Sequence, residues 1–285
     1  LGGSMRSGLE SLFAGASAML FPLAAGLIVE RVARRETLLA REWRRSKGRR
    51  LRAVGAIWGW GAVAFLLICG VGLLVAWLTA SGNLPGAGAW RTQAEVDAVI
   101  ARLSPAAAGI STPVAVLVGS SLVQAFIAGM TINGVFAFGE EYGWRGVLAE
   151  ELRPLGVVKA NLVIGVIWGL WHAPLIALGH NYGAAWLPGI FMFVLITTPL
   201  SFILWWARER STWLPTAAVV HGAFNGFAGI YALLVAGGDV LLAVPVGIFG
   251  AVALAIVAAI LWLVPGLRPA SDRARPELAT IRPGS

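Results

Sequence analysis

Seven stretches of this 285-residue sequence contain no Asp, Glu, Lys or Arg and reach the length needed to cross a bilayer, about 20 apolar residues. They are Ser11–Val29, Ala53–Ala80, Leu103–Gly139 (apolar from about Pro113), Ala160–Gly179, Trp186–Ala207, Trp213–Gly237 and Val240–Leu267. The fourth and fifth lie in one charge-free stretch, broken by the turn-forming His180-Asn181-Tyr182-Gly183. Only 13% of residues are charged and 58% are hydrophobic, whereas soluble domains carry about 25% charged residues. A disordered chain, a soluble enzyme and a coiled coil are excluded. The expected fold is an all-α polytopic bundle of about seven to eight helices, one integral membrane domain over residues 1–285.

The basic residues orient it. Counted over alternate connections, nineteen of the 22 Lys and Arg fall on one side, ten of them within Glu30–Arg52, against Arg6, Arg91 and Arg102 on the other. By the positive-inside rule the N-terminus lies outside, and the basic loop 30–52 and the C-terminal tail are cytoplasmic. The net charge of +8 is then explained by topology and anionic headgroups, and no nucleic-acid partner is expected. The Arg-, Ala- and Gly-rich composition reads as bacterial, so the expected location is a bacterial cytoplasmic membrane. Leu1-Gly2-Gly3-Ser4 reads as an added leader before a native Met5, and the first run as an anchor helix instead of a cleaved signal. Ser81–Pro113 is expected as an outside loop with a helix around Thr92–Leu103, and the tail after Pro265 as loose. Cys69 is the single cysteine, so no disulfide can form within the chain.

Ionisable groups at membrane depth cost several kcal/mol and each asks for a reason. Three clusters stand out: Gly139-Glu140-Glu141-Tyr142-Gly143-Trp144-Arg145, Trp168-Gly169-Leu170-Trp171-His172, and His221-Gly222-Ala223-Phe224-Asn225. Glu141 and Arg145, four apart, share a helical face and can pair, while Glu140 points about 100° away and is left for chemistry. His221 and Asn225 also share a face. At 1.5 Å per residue, Glu140 lies roughly 18 Å from the end of a third helix running to Leu152, where Pro154 and Gly156 stop it. His172 lies roughly 17–21 Å in, His221 roughly 12 Å and Asn225 roughly 18 Å, all from the same side. A carboxylate, two imidazoles and a carboxamide at one depth point to a polar cavity open to the cytoplasm. Taken singly, each cluster has a plainer reading as ion pair, bundle histidine or interhelical bond. Together they point to a site. His180 is expected to be solvated in its turn, Gln124 and Asn133 to be packing polars, and Trp144 and Trp171 to pack, with Trp168 a candidate cavity wall.

The ordered set Glu140-Glu141-xxx-Arg145, aromatic-xxx-His172 and His221-xxx-Asn225 resembles the CPBP family. That family comprises the type II CAAX prenyl endopeptidases and the bacteriocin-processing and self-immunity (Abi) proteins. The resemblance covers about Pro113–Tyr231, and residues 113–231 are expected to form the catalytic core. It departs at Trp168, where the pattern usually has Phe, a change between large aromatics expected to matter little. The resemblance implies an intramembrane endopeptidase in which Glu140 activates a water held with His172. His221 and Asn225 would stabilise the tetrahedral oxyanion, supported by Glu141 and Arg145. The chemistry is consistent: a partly desolvated carboxylate suits water activation, and convergent donors suit an oxyanion hole.

No cofactor is required for a glutamate-and-water mechanism. Zinc on Glu140, His172 and His221, with water in a fourth place, is the alternative, and no His-Glu-x-x-His helix decides between them. The expected partners are the lipid bilayer and a membrane-associated peptide or lipidated protein substrate. Rival readings are a non-catalytic membrane adaptor or bacteriocin self-immunity protein of the same family, and a transporter using the buried charges as a relay.

Overall fold

The structure, a computed structural model, describes residues 15, 17–34, 36–46 and 50–269. The leader, Met5 and the first part of the Ser11–Val29 run lie outside the described residues. The architecture is the expected all-α bundle. Its helices are α1 (Phe21–Ala33), α2 (Leu38–Ser46), α3 (Arg50–Ser81), α4 (Gln93–Leu103), α5 (Val114–Met130) and α6 (Ile132–Glu141). They continue with α7 (Val157–Trp171), α8 (Ala173–Ala177), α9 (Trp186–Ser211), α10 (Leu214–Phe227), α11 (Ile230–Leu234) and α12 (Ile248–Leu263). Among the described residues four helical segments are long and apolar enough to cross a membrane: Val54–Ser81, Val157–Ala177, Gly183–Ser211 and Leu214–Leu234.

The third run departs from the continuous helix expected of it. It breaks at Thr131 into α5 and a segment running to Leu155, bent by 56°. The break is sterically possible because its flanks are glycines: a methyl on Gly134 would lie 1.9 Å from the Gly129 carbonyl oxygen. The last run is also shorter in its helix, because Val240–Gly247 is turn-rich and only the 16 residues of α12 are helical. The loop Ser81–Pro113 carries its expected helix as α4, begun by a capping box in which Thr92 and Glu95 bond reciprocally. A two-residue strand β1 (Ala89–Trp90) pairs antiparallel with β2 (Val235–Ala236), a contact the sequence pattern does not announce.

Glycine decides which helices meet. Along α7, Asn161 bonds the Ser201 hydroxyl at 2.8 Å, and Gly165 presents its carbonyl to the Thr197 hydroxyl at 2.8 Å. A methyl on Gly165 or Gly169 would lie 2.5 Å from Thr198 Cα or 2.6 Å from Val194 Cα. This small-residue row lets α7 and α9 approach closely in lipid, where apolar side chains alone give no reason to associate. Pro199 sits inside α9, and neighbouring Thr197 and Thr198 return bonds to the Phe193 and Val194 carbonyls. Helix α10 is the most enclosed: Gly222 lies against the Asn133–Gly134 backbone, and Asn133 Nδ2 donates to the Gly222 carbonyl at 3.2 Å. Asn133 is thus the packing polar expected of it, whereas Gln124 is exposed.

The connections counted as one side come together at one end of the bundle. Arg34 and Arg41 reach Glu150, Arg208 reaches Glu150, Arg153 reaches Glu209, and Arg210 donates to the Gly266 carbonyl. The start of the tail is held there too, since Trp206 Nε1 donates to the Leu267 carbonyl at 2.9 Å. Beyond residue 269 it lies outside the described residues.

Gly222→Ala would place a methyl 2.8 Å from backbone atoms of Asn133 and Gly134 that cannot rotate away. We expect it to cost about 1–3 kcal/mol, seen as a lowered midpoint of thermal unfolding in detergent. Gly59→Ala, whose methyl meets nothing within 4 Å, should leave the midpoint in place.

Candidate active site

The Glu-Glu cluster ends α6, and its glycines face outward from it. Methyls on Gly139, Gly143 and Gly146 would meet the Met19 carbonyl at 2.6 Å, Pro22 Cβ at 2.6 Å and Leu38 Cδ2 at 2.7 Å. Gly139, Gly143 and Gly146, spaced i, i+4, i+7, form a smooth track on which α1 and the start of α2 lie. The carboxylates project elsewhere. Directly after Glu141 the helix widens into a π-helical turn, Tyr142–Leu148, before a last α-turn at Ala149–Leu152 and the stop at Gly156, whose φ is 80°. Such turns are rare and recur at functional sites.

Glu141 and Arg145 are both at 0% side-chain exposure, paired at 3.0 Å as their spacing requires. The same oxygen, Glu141 Oε1, also meets His221 Nδ1 at 2.9 Å. A residue expected only to support the site therefore binds α6 to α10 at its centre. The guanidinium of Arg145 lies 4.2 Å from the centre of the Trp168 ring, a cation–π contact inside an apolar bundle. Glu141 Oε2 and Arg145 Nε and Nη2 are buried with hydrogen-bonding capacity left over.

Glu140 is buried and, as its direction predicts, takes no part in the Arg145 pair. Its Oε2 accepts the Trp168 indole N–H at 2.5 Å. Trp168 is accordingly more than a wall. A Phe at this position would lack the donor, so the aromatic departure has a chemical consequence that ring size alone does not reveal. The indole also contacts both histidines, with ring centres 5.3 Å from His221 and 6.1 Å from His172.

His172 ends α7, its Nδ1 2.8 Å from the Trp168 carbonyl. A carbonyl only accepts, so Nδ1 carries the proton and Nε2 keeps a lone pair. Trp171 and Phe193 pack edge-on against the imidazole at 4.8 and 4.6 Å. Trp144 packs on Trp171 at 6.0 Å, as expected of both. Asn225, one turn beyond His221, is exposed and outside the hydrogen-bonded cluster of the described residues. His180, expected to be solvated, is half-buried and within electrostatic reach of His172, and burial holds its imidazole below the usual histidine value.

The arrangement offers a buried carboxylate, an imidazole with a free lone pair and an imidazole held by a second carboxylate. Among the described residues no three His, Cys, Asp or Glu side chains are gathered to share an ion, and Glu140, His172 and His221 do not form the donor set that zinc would need. Glu140 Oε2, His172 Nδ1 and His221 Nδ1 each have a protein partner.

A polytopic helical membrane protein with a glutamate and two histidines in its interior is the class these features define. Residues 109–227 match the family described as Type II CAAX prenyl endopeptidase Rce1-like, and all three motifs fall within that stretch. One relative, CAAX prenyl protease 2 of Methanococcus maripaludis, is 29% identical over 93 residues, covering 30% of this chain and 34% of the relative. The match therefore spans about a third of the relative's length. No solved structure matches. The resemblance carried by the motifs is borne out: over residues 109–227 the chain is similar to the type II CAAX prenyl endopeptidases.

Removing Glu141 should expose how the cluster is held. Glu141→Gln takes the counter-charge from a fully buried Arg145 and is expected to cost about 3–5 kcal/mol. Glu140→Gln keeps an acceptor for the Trp168 indole and should stay within about 1 kcal/mol of wild type. Equilibrium unfolding in mixed micelles compares the two directly.

Proposed function

We propose that this protein is an intramembrane endopeptidase that hydrolyses a peptide bond of a membrane-associated or lipidated substrate. The observation that carries the reading is Glu140: a buried carboxylate excluded from the neighbouring ion pair, fixed by one indole N–H and sharing its surroundings with His172 and His221. The similarity of residues 109–227 to the type II CAAX prenyl endopeptidases supports it.

In this mechanism Glu140 takes a proton from a water whose other hydrogen is accepted by His172 Nε2. The hydroxide adds to the scissile carbonyl, and the new oxyanion is met by His221 and Asn225. With Nδ1 of His221 turned towards Glu141, only its protonated form also donates from Nε2. Glu141 Oε1 accepts from His221 Nδ1 and also pairs with Arg145, so one carboxylate orients both groups. Glu140 then passes its proton to the leaving amine, and the carbon–nitrogen bond breaks. Each step uses side chains of the bundle, and no cofactor takes part. Asn225, exposed along α10 from His221, would meet the carbonyl from the substrate's side. The basic end of the bundle would face the cytoplasm of a bacterial cell, with the N-terminus outside.

Quenched-fluorescence peptides, plain and lipidated, presented in liposomes test the reading. Wild type is expected to cleave a lipidated member, and Glu140→Ala and His221→Ala to lose about 10²-fold or more in kcat. Cleavage should survive a chelator. Retained cleavage in Glu140→Ala overturns the assigned base. Inhibition by chelation with rescue by zinc overturns the metal-free mechanism. Absence of cleavage by folded wild type favours the non-catalytic adaptor.

A further inference from the structure

The π-helical turn Tyr142–Leu148 sits between the two glutamates and Glu150, and something must keep so unfavourable a turn in place. Arg208, in the last turn of α9 and only 8% exposed, reaches it. One guanidinium nitrogen, Nη1, donates to the backbone carbonyl of Arg145, in the middle of the turn. The other, Nη2, lies 3.3 Å from Glu150 Oε1, just past the turn's end, and 3.8 Å from Glu42 of α2. A single planar fork therefore clasps the turn at its centre and at its exit.

Glu150 is itself held from the other side. Its Oε2 accepts from Arg34 at 2.9 Å and from Arg41 at 2.6 Å, so guanidinium groups from three separate stretches of chain converge on one carboxylate. An ordinary ion-pair cluster at the end of a bundle would be complete with those carboxylate contacts alone. The bond to a main-chain carbonyl is of another kind. It fixes the residue whose side chain pairs with Glu141 and lies over Trp168, which in turn holds Glu140.

We propose that Arg208 is a positioning residue for the buried site, oriented by Glu150, and that it acts by locking the π-helical turn and thereby the placement of Arg145. The effect on catalysis rests on the endopeptidase reading above; the effect on the turn does not. A charge-assisted bond of this kind is expected to shift a local opening equilibrium by about tenfold to a hundredfold.

The test uses the full chain in detergent, with Arg208→Gln, Arg208→Lys and Glu150→Gln. Hydrogen exchange followed by mass spectrometry should show amides 142–148 exchanging about tenfold faster or more in Arg208→Gln, with 54–81 and 214–227 unchanged. On a peptide that wild type cleaves, kcat should fall by about tenfold or more at constant KM, because the loss is in placing the reacting groups. Arg208→Lys reaches one acceptor instead of two and should recover part of both effects. Glu150→Gln should give the same pattern more weakly. Unchanged exchange in 142–148, or an equal rise across every helix, overturns the proposal. If Arg208→Gln does not fold, Arg208→Lys is judged by the same criteria. If wild type cleaves nothing, the endopeptidase reading fails while the exchange data still decide whether Arg208 locks the turn.

Discussion

A charge buried among apolar helices must be closed on itself, and here closure is achieved through one oxygen. Glu141 Oε1 takes Arg145 from its own segment and His221 from α10. An unpaired Arg145 at that depth would cost more than a bundle of marginal stability can carry. The pairing therefore fixes how α6 and α10 face each other, and with them the position of everything attached to either. Glu140 is released from the pair by the same geometry. Two adjacent carboxylates acquire different roles because one is consumed by charge balance and the other is not.

The second requirement is proximity, and glycine supplies it. Gly165 and Gly169 bring α7 against α9, Gly222 brings α10 against the break at Thr131, and the track Gly139, Gly143, Gly146 receives α1. In a soluble core burial of apolar surface would drive such contacts; in lipid the gain comes from dispersion and backbone polar contacts at short range, which a methyl group prevents. The Asn133 and Thr197 bonds to glycine carbonyls show the same economy, since a carbonyl without a neighbouring Cβ is open to a side chain from the next helix. Placing Trp168 and His172 beside Glu140 is a consequence of these seams.

Much of the site was legible from spacing. Glu141 and Arg145 pair at 3.0 Å because four residues along a helix bring side chains together, and the separate direction of Glu140 follows from the same rotation. The stop after Leu152 and the helix around Thr92–Leu103 were equally readable, each being local. The bend at Thr131 was not: a run apolar on every side carries no periodicity to mark a change of direction, and only Gly129 and Gly134 hint at it. The π-helical turn left no pattern either. His180 looked solvated because its neighbours are turn residues, yet packing of the loop half-buries it.

The sequence by itself determined the solvent this protein folds in, the all-α class, the end at which its basic connections gather, and the three polar clusters within its apolar runs. These depend on hydropathy, charge and intervals along one helix, all written in order along the chain. Only the tertiary structure decided that Glu141 joins His221, that the Trp168 indole holds Glu140, and that Arg208 reaches the Arg145 carbonyl. Those contacts depend on the rotation of each helix about its axis and on where two helices cross. Helices apolar nearly all round leave both undetermined until glycine seams and buried charges are satisfied together.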